Sequence, residues 1–105
     1  MAWIYLIIAG IFEVVWAMAL KYSNGFTKLY PSLITFGGMA ISFYLLSLAT
    51  KTLPMGTAYA IWTGIGAFGA VVLGIILFDE PVNLLRIIFL CFILVGIIGL
   101  KITAV

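Results

Sequence analysis

The 105-residue sequence has no histidine, one cysteine, three prolines and little charge. With no histidine, and with Cys91 alone in an apolar run from Ile87 to Leu100, neither a Cys/His metal cluster nor a disulfide framework is available. No metal and no cofactor is implied, and Cys91 reads as a small buried hydrophobe. Charged residues make up 8% of the chain, and the net charge of +2 is scattered. That balance excludes a nucleic-acid surface and a polybasic patch for acidic lipid. No linker, domain boundary or low-complexity tract is visible.

Hydrophobic residues account for 67% of the chain, which excludes an ordinary soluble domain. Four apolar segments are separated by short polar punctuation. They predict an all-α membrane protein, a single transmembrane domain over 1–105 with helices at about 2–20, 31–50, 54–78 and 83–101. Ser23-Asn24-Gly25 marks a turn in the longest connection, and Asn83 is the expected N-cap of the last helix. All three prolines fall at or just before helix starts, where a missing N–H is harmless. Ala17-Met18-Ala19 resembles a signal-peptide cleavage site. However, the preceding residues lack Lys and Arg, a carboxylate interrupts the apolar run and three more apolar segments follow, so the first segment reads as a retained helix.

That carboxylate is Glu13. Its segment is about 28 Å long as a helix, enough to span a hydrocarbon core, and Glu13 lies near the middle. An ionisable group at that depth costs about 2.5–3.5 kcal/mol or more, so Glu13 reads first as a site. The competing reading is a neutral carboxyl that glues neighbouring helices together. Ala9, Gly10, Trp16 and Ala17 share its helix face, and the small residues admit a ligand or another backbone. Trp16 offers either a π face for a cation or ordinary packing.

Tyr59, Trp62 and Gly66 recur on one face of the third segment. Ser42 is a lone hydroxyl near mid-depth on the second, and it either serves a site or bonds its own helix backbone. With Glu13 and Trp16 these residues make a candidate pocket. Gly64-Ile65-Gly66-Ala67-Phe68-Gly69 fits the dinucleotide fingerprint letter by letter, but it lies inside an apolar helical run without the required strand. Gly64, Gly66 and Gly69 therefore read as sites of close helix contact and of bending. The fourth segment has almost no polar side chains and looks suited to packing, with Gly96 and Gly99 marking a close contact.

Lys51 and Lys101 fall on one side of the membrane and Lys21, Lys28 and Arg86 on the other. So small a bias does not fix orientation. Insertion both ways makes an antiparallel dimer available, with two Glu13 residues facing one cavity and two states related by exchange of the copies.

Several stretches together resemble the small multidrug resistance family along essentially the whole chain. They are Glu13 in the first helix, Lys21-Tyr22-Ser23-Asn24-Gly25-Phe26-Thr27, Pro31-Ser32, and Gly56-Thr57-Ala58-Tyr59-Ala60-Ile61-Trp62. Trp16, where the multidrug subtype typically has glycine, and Thr63-Gly64-Ile65-Gly66-Ala67 place the resemblance nearest the guanidinium exporter subtype. The resemblance implies a transporter rather than an enzyme, working in the bacterial cytoplasmic (inner) membrane as an antiparallel, dual-topology homodimer. It implies exchange of protons for a guanidinium-type cation at the paired Glu13 carboxylates, in a pocket lined by Gly10, Trp16, Ser42, Tyr59 and Trp62. Ser42 and Trp62 are expected to hydrogen-bond the Glu13 carboxylate. The fourth helix is expected to hold the dimer in part, Gly96 matching a glycine of the family's contact motif and Phe89 replacing another. The alternatives are an exporter of quaternary ammonium or other lipophilic cations, a proton-carrying rotor subunit and a structural membrane subunit.

Overall fold

The computed structural model describes residues 1–104. Val105, the last residue of the expected domain, lies outside the described residues. Four helices follow one another: α1 (Ala2–Tyr22), α2 (Leu29–Ala49), α3 (Met55–Phe78) and α4 (Leu84–Ile102). No strand occurs among the described residues. Each helix is long and apolar enough to cross a membrane.

The helix ends follow local chemistry. α1 runs two residues beyond the expected Leu20, and Ser23 then closes it, its N–H reaching the Ala19 carbonyl at 2.9 Å and its Oγ donating to Leu20 O at 2.6 Å. The chain turns through Asn24, Gly25 and Phe26, all with positive φ, and the Ser23 Oγ accepts the Phe26 N–H. α2 begins at Leu29, two residues before Pro31, because the first turn of a helix has no use for that missing N–H. α3 is uninterrupted through Gly64, Gly66 and Gly69. It stops at Asp79 in the left-handed conformation, where the Glu80 N–H folds back to Gly74 O at 3.3 Å and Pro81 bars continuation. Asn83 caps α4 as expected, its Oδ1 accepting the Arg86 N–H at 3.0 Å.

The helices do not close into a bundle. They form an arc in the order α2, α1, α3, α4, only 16 Å thin in one direction. α1 packs on α2 and α3, whereas α4 packs on α3, with Lys101 reaching back over the Trp3 ring at 5.6 Å. The hydrophobic core consists of Leu6, Ala9, Ala49, Ala58, Ile61 and Trp62, in the half of the molecule near the α2–α3 loop. No residue of α4 is buried among the described residues, and Cys91 is exposed rather than buried as its apolar surroundings suggested. Gly96 and Gly99 have nothing within 4 Å of where a Cβ would stand, so the contact they were expected to mark is not made within the chain.

Candidate functional site

Glu13 projects from the middle of α1 towards α3. Its carboxylate lies against Gly66, where any β carbon would collide with it, so a larger residue at 66 would displace the side chain. Oε2 is enclosed there with no hydrogen-bond partner. The Glu13 residue as a whole is half-buried. Among the described residues no cation pairs with it.

α1 and α3 run in the same direction along this seam. Gly10 faces Ile65, Glu13 faces Gly66, and Val14 packs into the space left at Gly69. Gly10 is buried, and a Cβ there would stand 2.6 Å from Ile65 Cγ2, so its open side is filled by α3 rather than facing a void. Gly64 looks the other way, towards Ile97 and Ile93 of α4. These three glycines of α3 therefore serve two neighbours: Gly66 and Gly69 admit α1, and Gly64 admits α4. With no strand before them and no break in the helix, the dinucleotide reading of this run falls away.

Ser42 and Trp62 do not bond Glu13. Ser42 is fully buried and donates to the Ala9 carbonyl at 2.6 Å, and its Oγ accepts the Trp62 indole N–H at 2.9 Å. This relay ties α2 and α3 to α1 one turn before Glu13. The Ala9 carbonyl is also the one that receives the Glu13 N–H in the helical ladder, so the relay steadies the backbone that carries the carboxylate. The expectation failed because the hydroxyl has one proton, given to Ala9 O, and the indole one N–H, given to Ser42, so neither has one left for Glu13. Ser42 does not bond its own helix either. It crosses to another.

Aromatic rings flank this relay. Tyr59 lies 5.6 Å from Trp62 between centroids and is half exposed, whereas Trp62 is 7% exposed. Phe43 meets Trp62 edge-on at 5.6 Å and Trp16 at 6.4 Å. Phe43 therefore joins the two indoles, a role that sequence reasoning missed. Adjacency to Ser42 gave no signal for it, since adjacent residues on a helix face different ways. The Trp16 Cβ packs on Gly38, and its indole N–H is enclosed without a partner. Glu13, Trp16, Ser42, Tyr59 and Trp62 thus gather in one region, with Phe43 added. Among the described residues no cluster of His, Cys, Asp and Glu is arranged to hold a metal.

Four helices able to cross a membrane, with a lone carboxylate midway along α1 and a run of aromatic rings near it in α1, α2 and α3, define a small multi-pass membrane protein. The chain belongs to the small multidrug resistance family: the family model described as Small Multidrug Resistance protein matches residues 1–93. It is 59% identical over 104 residues to a protein of Yersinia pseudotuberculosis named Guanidinium exporter, covering 99% of this chain and 100% of that one. A Salmonella typhimurium protein of the same name is 59% identical over 104 residues, covering 99% of each chain. One from Escherichia coli, also named Guanidinium exporter, is 55% identical over 103 residues and covers 98% of each.

Proposed function

We propose that this chain exports guanidinium and small guanidinyl cations from the bacterial cytoplasm across the inner membrane, in exchange for protons. It works as an antiparallel, dual-topology homodimer in which Glu13 of both copies is the shared site. The observation that carries this reading is the Glu13 carboxylate, held at mid-span against Gly66 and one helical turn before Trp16, with no protein cation paired to it among the described residues. The names of its relatives supply the substrate class.

Guanidinium is planar, delocalised and weakly hydrated, so it gives up water more readily than an ammonium ion. Its N–H fork matches a carboxylate and its face stacks on an aromatic ring. Trp16, Tyr59 and Trp62 supply the rings, and Gly10 and Ser42 let the helices around Glu13 close up. Gly66 and Gly69 leave the α3 side of the α1–α3 seam without a side chain opposite Glu13 and Val14, which lets the two helices shift there during a cycle, and Gly64 does the same towards α4. The unburied α4 and the open arc call for a second copy, with Gly96 and Gly99 as the close-contact positions.

A substrate panel in proteoliposomes made with this protein alone tests the reading. Guanidinium is expected to move and tetraalkylammonium ions are not, because they lack N–H donors for the carboxylate. The reverse preference would establish the quaternary-ammonium alternative.

Proton and cation compete for one charge, so the sign of the pH dependence follows. Guanidinium affinity is expected to fall as pH drops through the range in which the Glu13 pair titrates, by up to about tenfold per pH unit for each proton that must be displaced. The two carboxylates of a dimer titrate together, so a binding series by calorimetry yields macroscopic values for the pair. Equal affinity at acid and alkaline pH would refute competition.

A further inference from the structure

The hydrophobic core lies at one end of the molecule, and the α1–α3 seam beyond Glu13 is closed differently at the other. Past Val14 and Gly69 the two helices meet at the membrane face carrying the α1–α2 and α3–α4 loops. There Lys21 Nζ stands 3.6 Å from Glu80 Oε2 and 4.4 Å from the centroid of the Phe78 ring. The Phe78 ring in turn packs on Tyr22 at 5.0 Å. Glu80 folds back over α3 while remaining partly exposed. The left-handed Asp79 turns the chain back, and the Glu80 carboxylate lies over Gly74 in a space that any β carbon would fill. Among the described residues this is the one ion pair. Lys28, Arg86 and Asp79, the other charges at that face, make none.

We propose that Lys21, Phe78 and Glu80 form a latch that holds α1 against α3 at this face and must release when the Glu13 site opens there. The inference rests on the exporter reading above. Glu13 and Lys21 are eight residues apart on α1, about 12 Å, and the seam between them is the shortest line from the carboxylate to this face. Parting α1 from α3 exposes Glu13, and the latch spans the outer end of that parting. Both side chains are partly exposed, 56% for Lys21 and 38% for Glu80, so the pair is weak enough to break in every cycle. Gly74 is explained at the same time as the seat of the Glu80 carboxylate.

The test uses the full chain in proteoliposomes. Glu80→Gln is expected to raise guanidinium flux about two- to fivefold, the range of a partly exposed ion pair, while equilibrium affinity stays within about twofold. Lys21→Glu with Glu80→Lys restores the pair in reverse and should return the flux to its original value. The swap leaves three Lys and Arg residues on that face, so orientation is undisturbed. Conversely, Lys21→Cys and Glu80→Cys in a Cys91→Ala background, bridged by a short reducible bifunctional thiol reagent, should retain guanidinium binding but stop transport until reduced.

Unchanged flux in Glu80→Gln, a swap that does not restore it, or unimpaired transport by the bridged protein would each overturn the latch. No flux in the unaltered chain would instead contradict the exporter reading. In that event thiol labelling of Ala17→Cys from this face still decides the latch. Labelling faster in Glu80→Gln and slowed again by the swap supports it, and labelling at one rate in all three refutes it.

Discussion

Glu13→Gln is expected to abolish guanidinium transport and the proton movement coupled to it, while leaving the helices inserted and the dimer assembled. Glutamine keeps the shape that sits against Gly66, so the α1–α3 seam has no reason to repack. It also removes the cost of holding an ionisable group at mid-span, so stability is expected to hold or rise slightly. What it cannot do is alternate between a charged and a neutral form. It therefore offers a cation no counter-charge and a proton no place to bind. Flux at the level of protein-free liposomes, with unchanged elution of the detergent-solubilised protein, is the expected result. Proton-coupled guanidinium flux persisting in this variant would remove Glu13 from the mechanism.

The second large effect concerns orientation. Lys51→Gln with Lys101→Gln leaves no basic residue on the side of the α2–α3 loop and three on the other, Lys21, Lys28 and Arg86. Those three should be drawn to the cytoplasm and fix one orientation. If the working unit is antiparallel, this variant expressed alone is expected to lose export. A partner with Lys28→Gln, Arg86→Gln and Thr52→Lys is biased one against three the other way, and it spares Lys21 and the latch. Co-expression of the two should restore export. Lys101 also lies over Trp3, a contact worth about 0.5–1 kcal/mol, so insertion of each variant is checked separately. Accessibility of an introduced loop cysteine, with Cys91 replaced, reports orientation from each side. Full export by a population shown to have one orientation would exclude the antiparallel dimer.

The helices were legible because apolar runs long enough to span a bilayer alternate with turn and capping residues, and Ser23 and Asn83 do what such residues do at helix ends. The position of Glu13 was legible for the same reason: a carboxylate inside an apolar run is conspicuous. What lay beyond a linear reading is the pairing of groups far apart in the chain. Ser42 meets the Ala9 carbonyl, 33 residues away, and so takes up the Trp62 N–H as well, leaving neither for Glu13. Phe43 is adjacent to Ser42 and gave no periodic signal, yet it joins Trp16 to Trp62. Lys21 and Glu80 read as separate pieces of polar punctuation until the parallel run of α1 and α3 brings them to one face. The open arc was equally hidden, because four apolar helices give no indication of which apolar faces meet each other and which await a second copy.

The central claim is that proton and guanidinium exchange through one carboxylate site in a protein that needs no other component. It is tested most directly by a guanidinium gradient imposed across liposomes that contain only this chain, with internal pH followed by a trapped dye. The account predicts that guanidinium leaving the lumen draws protons in, acidifying it, and that Glu13→Gln liposomes stay flat. Guanidinium movement with no opposing proton movement would contradict it.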